Sequence, residues 1–330
     1  MNIAVDAMGG DNAPLEVIKG AVHAALDHKD FTITLVGNES KIRGLASENG
    51  IIIPSNIEIV HSESVVTMED DPMVVMKEKK DSSMATGLKL LKDGSVDAFI
   101  SAGNTGALHT ASTLVVRKMK GVRRSAIAAI LPFTPPVLLL DSGANPVVTA
   151  DWLLQWAIIG SAYMKNVFGV ENPRVGLLNN GTEEHKGTPV AIEAFSLLKK
   201  SKEINFVGNI ESKEIPNSPC DVLVTDGFTG NITLKLVEGM GKFIGKSLND
   251  IFRSNVFTKL SYLITFKEEI SKFRTRLDAS EYGGAPLLGL SKPVIKAHGS
   301  SKAKDIKNAI RQAIEYSNSN VIEEVSKALR

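Results

Sequence analysis

The feature that most restricts the fold of this chain is a repeated junction, in which a short β-branched or Leu-rich run passes directly into a polar turn containing glycine. Asp6 leads into AMGGDNAP, Ser101 into AGNTGA, Asp141 into SGANP, Leu178 into NNGTEEHKGT, Thr225 into DGFTGN and Ala297 into HGSS. The apolar runs alternate with helical patterns, as βα units around a largely parallel sheet do. Strands are predicted at Asn2 to Asp6, Phe31 to Val36, Ile57 to Val60, Asp97 to Ser101, Ser125 to Leu131, Val137 to Asp141, Arg174 to Leu178, Ile204 to Val207, Asp221 to Thr225 and Val294 to Ala297, ten in one wide sheet. The two strands flanking Pro135 and Pro136 are too close for a helical crossover, so at least one antiparallel pair is expected and the sheet should be mixed.

Helix starts are signalled by Asp71 and Pro72 before Val74, and by Thr149 with Asp151 before the apolar face of Trp152, Trp156 and Ile159. The two tryptophans are expected in the core or in a subunit interface. No repeat or linker-like stretch divides the chain. Residues 1–330 therefore read as one three-layer αβα domain, with a protruding helical segment inserted over 245–280.

Composition excludes several classes. With 330 residues, 43% of them hydrophobic, the chain can bury a large core, and 38 basic against 37 acidic residues leave no global footprint for nucleic acid. The single cysteine, Cys220, can form neither an internal disulfide nor a zinc cluster, which favours a reducing, cytoplasmic setting. The opening MNIAVDAMGG reads as a strand and turn, with no secretion signal. The charge-free stretch from Ser125 to Leu140 is broken by three prolines and cannot form a bilayer-spanning helix.

In open α/β sheets ligands bind outside the carboxyl ends of the strands, where turn amides and a helix N-terminus attract anions. One glycine turn would signify only a helix cap; six of them point to a cleft for phosphate or a similar oxyanion. No Rossmann fingerprint is present. Gly239, Gly241, Gly245, Lys246 and Ser247 imitate a Walker loop, but Met240 occupies the required glycine position, and the small residues there suit close helix packing. G-x-S-x-G and H-E-x-x-H are absent, and Cys220, after Pro219, reads as a buried structural thiol. No metal or cofactor is expected, and the nucleophile should come from a substrate. Lys186, in the polar loop after Leu178, can meet a phosphate or a developing oxyanion, or can pair with Glu183 or Glu184. Of the histidines, His298 is better placed at a strand end than His109 or His185.

The blocks IAVDAMGGDNAP, ISAGNTGAL, LLLDSGAN, RVGLLNNGTEEHKG, VTDGFTGNITLK, EYGGAPLLGL and PVIKAHGSS, in this order across the chain, resemble bacterial phosphate acyltransferase, the acyl-carrier-protein:phosphate transacylase of phospholipid synthesis. The resemblance implies a fold similar to the isocitrate/isopropylmalate dehydrogenase and phosphotransacetylase group, and a homodimer. It also implies transfer of a fatty acyl group from acyl carrier protein to inorganic phosphate, the acyl phosphate then feeding a membrane glycerol-3-phosphate acyltransferase. Phosphate is its own nucleophile near neutrality, so the protein must position it and stabilise the tetrahedral oxyanion. Strand-end position assigns phosphate binding to Gly103, Asn104, Thr105 and Gly106, to Gly143 through Asn145, and to Thr229 and Asn231. Lys186 and Asn180 would serve the oxyanion, His298 the departing thiolate, and Asp6 and Asp11 would orient donors. An acyl-CoA-using phosphotransacetylase-like enzyme, a metal- and NAD-dependent decarboxylating dehydrogenase on a similar sheet, and a non-catalytic membrane-surface scaffold are the competing readings.

A second signal lies between Ile251 and Leu277. Phe252, Val256, Leu260, Leu263, Ile264, Ile270 and Phe273 recur at helical spacing, with six basic residues against Glu268 and Glu269. Such a segment suits an anionic membrane surface, an acidic partner such as acyl carrier protein, or the mate in a dimer. Peripheral membrane association of a cytoplasmic protein is the corresponding expectation.

Overall fold

The computed structural model describes residues 1–27, 30–253, 266–268, 270 and 279–329. Its strands are β1 (Asn2–Asp6), β2 (Thr32–Gly37), β3 (Ile57–His61), β4 (Ala98–Ser101), β5 (Ala126–Leu131), β6 (Val137–Leu140), β7 (Arg174–Asn179), β8 (Asn205–Glu211), β9 (Val222–Val224), β10 (Ala285–Leu288) and β11 (Val294–Lys296). Its helices are α1 (Leu15–Asp27), α2 (Glu39–Glu48), α3 (Val74–Lys77), α4 (Ser83–Asp93), α5 (Thr105–Val115), α6 (Ala150–Phe168), α7 (Pro189–Lys200), α8 (Gly227–Arg253), α9 (Ala303–Asn318) and α10 (Val321–Ala328).

The strands form one mixed sheet in the order β3-β2-β1-β4-β11-β10-β5-β6-β9-β7-β8. Alternate residues of β1 show why helices cover both faces. Ile3 and Val5 enter the core built with α1, α6, α7, α9 and α10, while Ala4 enters the one built with α3, α4 and α5. A third cluster packs Leu139 and Leu223 against Leu234 and Val237 of α8. Trp156 is fully buried beside the partly buried Trp152, and its indole N–H donates to the Arg124 carbonyl at 3.0 Å.

The expected antiparallel pair is β5–β6. A strand the sequence reading missed, β10, pairs antiparallel with both β11 and β5. Only four residues long and opening Ala-Pro after two glycines, it offers no alternation to read. The two antiparallel steps on either side of β10 cancel, and the step from β5 to β6 then reverses direction. As a result β6, β9, β7 and β8 run opposite to β1, β2, β3, β4, β11 and β5. The six glycine turns therefore do not form one row, as the sequence reading supposed. They fall into two groups, after β1, β4 and β11 and after β6, β9 and β7.

Helix α8 runs unbroken from Gly227 to Arg253, across the start of the segment expected over 245–280, most of which lies outside the described residues. A Cβ on Gly239 or Gly245 would meet nothing within 4 Å, so among the described residues these glycines do not serve close packing. Phe252 stacks near Phe266, ring centroids 6.1 Å apart, while Val256, Leu260, Leu263 and Ile264 lie outside the described residues. Among the described residues no helix is long and apolar enough to cross a membrane.

Candidate active site

The first group of turns is organised by the buried Asp6. One carboxylate oxygen accepts the N–H groups of Met8 and Gly9, both at 3.1 Å, and the other accepts the Ser101 hydroxyl at 2.7 Å. Ser101 Oγ in turn accepts the Gly103 N–H at 3.0 Å, so the end of β1 shapes the turn after β4. Burial raises the Asp6 pKa, with the hydroxyl and amide bonds pulling the other way. The approach is too close for a side chain at Gly9, whose Cβ would stand 2.8 Å from the Gly103 nitrogen. The β11 turn joins through Asp11 N–H, which donates to the Gly299 carbonyl at 2.8 Å, and through the Asn12 amide, which donates to the Ser300 carbonyl at 3.0 Å.

This group presents the N-terminus of α5. Asn104 caps it, its side-chain oxygen accepting the Ala107 N–H at 3.0 Å, and its amide donates to the carbonyls of Thr67, Met68 and Asp70. The Asn104 side chain is thus fully engaged and cannot itself hold phosphate, contrary to expectation. Thr105 and Gly106 occupy the first two helical positions, where N–H groups have no acceptor within the helix. His298 is exposed at the end of the β11 turn, and Ser300 N–H donates to its Nδ1 at 3.2 Å. That bond assigns the ring proton to Nε2.

The group also contains a charge that sequence reasoning did not single out. Lys296, 7% exposed, donates from Nζ to the carbonyls of Ala102 and Ala297. Burial pushes its pKa down to about 8, against the pull of Asp6 and Asp11. The available signal was a lysine in an otherwise apolar strand of a sheet covered on both faces, where an unpaired charge is costly.

The second group is organised by Asp141, and with the opposite result. One carboxylate oxygen accepts the N–H groups of Ile127, Gly143 and Ala144, each at 3.1 Å. The other accepts the backbone and side-chain N–H of Asn145, at 2.7 and 2.9 Å. The donors of Gly143 and Asn145, expected to bind phosphate, are therefore turned inward onto a carboxylate. Thr229 is engaged likewise, its N–H and hydroxyl both donating to Asp226 at 2.8 and 2.7 Å. In both turns the glycine is present and an acidic residue takes the donors.

What remains available here is Asn231 and the β7 loop. The Asn231 side chain lies 3.7 Å from where a Gly143 Cβ would stand, and it makes no hydrogen bond among the described residues. Lys186 is exposed and forms no ion pair among the described residues, because Glu184 is bound to Lys199 and Glu183 does not reach it. Its stem passes over Gly181, whose Cβ would be 3.1 Å from Lys186 Cγ. The Asn179 side chain closes this loop by donating to the Lys186 carbonyl at 3.0 Å and accepting the Asn180 N–H at 2.9 Å, leaving the Asn180 side chain exposed.

The two groups meet across α5. His109, one turn into that helix, lies with Nε2 3.1 Å from Ser125 Oγ, and the Ser125 carbonyl accepts the Asn145 amide at 2.9 Å. Burial lowers the His109 pKa, opposed by the Ser125 bond and the Asp141 charge. Ala144 packs against the same apolar cluster as Ala107 and Leu108. No hydrogen bond or ion pair among the described residues joins the Lys186 loop to the β4 turn.

Cys220 is buried against the sheet, and desolvation pushes its thiol up to about 12. It cannot act as a thiolate nucleophile near neutral pH.

Comparison with known proteins completes the picture. A structure described as a phosphotransacetylase from Streptococcus pyogenes superposes with a TM-score of 0.67 over 96% of this chain and 94% of that one, at 16% identity. A branched-chain phosphotransacylase from Enterococcus faecalis gives 0.57 over 97% and 99%, at 14% identity. These likenesses show the fold. The sequence relatives are nearer. A phosphate acyltransferase of Caldanaerobacter subterraneus subsp. tengcongensis is 44% identical over 100% of this chain and 97% of its own length. One from Bacillus licheniformis is 46% identical over 97% of this chain and 96% of its own. The family described as fatty acid synthesis protein matches residues 1–324, and with relatives of this identity over the full length the chain belongs to the phosphate acyltransferase family.

Proposed function

We propose that this acyltransferase moves a fatty acyl group from the thioester of acyl carrier protein to inorganic phosphate, giving an acyl phosphate for phospholipid synthesis. The observation that carries the reading is a set of donors that have no internal acceptor among the described residues: the Thr105 and Gly106 N–H groups, the Asn231 amide and the Lys186 ammonium. They border a fold that offers no reactive thiol of its own. A phosphate oxygen attacks the thioester carbonyl, the new C–O bond pushes an electron pair onto the carbonyl oxygen, and collapse of that oxyanion breaks the C–S bond. The α5 amides hold the incoming phosphate. In the second group of turns, whose β7 stands six strands along the sheet from β4, Lys186 with Asn180 and Asn231 is the other set of donors suited to charge on phosphate and oxyanion. In this reading His298 donates a hydrogen bond from its Nε2–H to the departing thiolate, which leaves without taking a proton from the ring.

The α8 surface supports two further parts of the proposal. Phe228, Ile232, Leu236, Met240 and Phe243 form an exposed apolar stripe at helical spacing, suited to a second copy of the chain in a homodimer. The basic amphipathic stretch beyond α8 would bring such a dimer to an anionic membrane, where a glycerol-3-phosphate acyltransferase consumes the acyl phosphate.

The test is phosphate-dependent thiol release from long-chain acyl carrier protein, set against the matching acyl-CoA. Release without phosphate, or a preference for the CoA thioester, would overturn the reading. Lys186→Ala should lower kcat about 100-fold with folding retained. Near-normal turnover would remove Lys186 from the mechanism.

A further inference from the structure

Lys296 is the charged residue of β11, and it sits at the centre of the first group of turns. Its ammonium bonds the Ala102 carbonyl at 3.1 Å, two residues before the Asn104 cap of α5, and the Ala297 carbonyl on its own strand. The acidic groups that face it are Asp6 of β1 and Asp11 of the turn that follows. A long apolar side chain would fill the same place without the cost of burying a charge. What only a cation with several N–H donors can do there is fix the Ala102 carbonyl while balancing the buried Asp6.

We propose that Lys296 is a positioning residue for the acceptor phosphate: by tying the turn between β4 and α5 to β11, it holds the Thr105 and Gly106 amides in the orientation that grips the anion. The inference rests on the phosphate-acceptor reading and deepens it. The Lys296 ammonium is buried and already bonded to two carbonyls, so it acts through the backbone. Its loss should therefore loosen phosphate binding more than it slows the chemical step. The Lys296 ammonium should also lose its proton as pH rises through about 8, weakening phosphate binding on the alkaline side.

The measurement is phosphate-dependent thiol release by the full chain, with KM for phosphate and kcat determined separately between pH 6.5 and about 9.5. Lys296→Met should raise the phosphate KM about tenfold while kcat and the KM for the acyl thioester change by less than about threefold. Lys296→Arg keeps the charge, so it should restore part of the phosphate affinity and abolish the alkaline rise in phosphate KM. Comparing it with wild type at each pH cancels the ionisation of phosphate itself. A folded Lys296→Met with the wild-type phosphate KM overturns the proposal, as does a Lys296→Arg that follows the wild-type pH profile. Should neither variant fold, a wild-type phosphate KM, referred to one ionic form of phosphate, that stays flat across the range overturns it, and a rise near pH 8 supports it. A wild-type protein without phosphate-dependent release would instead overturn the activity reading, and the first control separates the two failures.

Discussion

Two ends of the sheet are built from the same ingredients and come out differently. At the end of β1, and again after β6, a buried aspartate is followed by a glycine turn, and in each case the carboxylate gathers donors. Asp6 takes two amides of its own turn and the Ser101 hydroxyl, with a lysine nearby to balance its charge. Asp141 takes five N–H groups, four of them from the residues directly after it. The first arrangement leaves the first two amides of α5 without an acceptor inside the helix. The second uses its turn to solvate its own carboxylate. A glycine-rich turn therefore indicates where backbone donors gather, whereas the nearest acidic side chain decides whether they face inward or toward a ligand.

The sharpest way to break this comparison is Asp141→Ala. It leaves five donors facing an empty site, and at about 1 kcal/mol or more for each buried group that finds no water it should cost about 4 kcal/mol or more. Denaturant unfolding checks this, and a loss below about 1 kcal/mol would mean the turn is held by something other than its aspartate. Asp6→Asn should cost less, about 1–2 kcal/mol, because the amide keeps an acceptor and burial already disfavours the charged form. Its pH dependence has a definite sign. With the folded pKa raised above 3.8, ionising Asp6 works against the fold, so wild type loses this contribution as pH rises from the unfolded value through the folded one. The penalty of Asp6→Asn should accordingly be larger near pH 4 than at pH 7, and the reverse trend would show that Lys296 overcompensates the burial. The smallest effect belongs to Thr229→Val, which removes one hydroxyl bond to Asp226 for about 1 kcal/mol and should leave the phosphate KM unchanged. A raised KM would return Thr229 to the binding site.

Much of the fold was legible because the period of the apolar runs is a local property. The core strands β1, β4, β6 and β9 lie within a residue or two of where β-branched and Leu-rich runs place them. Where reading failed, the cause was not local. Strand β8 extends to Glu211 past Gly208, which has φ +102° and sits beside a register shift against β7; a glycine there reads as an end, but the ladder continues through it. Strand β10 is specified by the two edges it fills. The positions of the site turns were legible for the same reason as the strands. The orientation of their donors was not, since it depends on carboxylates such as Asp141 meeting N–H groups from another strand, as at Ile127. Lys296 was passed over because spacing alone does not show that a strand lysine is enclosed on both sides.

The placement of β10 and β11 also bears on the order in which the protein can be completed. Strands β4 and β5 come from the first half of the chain, yet the two strands that separate them belong to its last fifth. During synthesis each half of the sheet carries an unpaired edge, and its α1 or α6 layer lacks the packing of α9 or α10, until the last fifth of the chain has emerged. The join closes only when Ala285–Lys296 has emerged. The residues that finish the middle of the sheet also carry Lys296 and His298 to the first group of turns. A nascent chain thus receives the last residues of the first group of turns at the moment its exposed edges disappear, and a chain stopped before that point would have neither a closed sheet nor a complete set of turns.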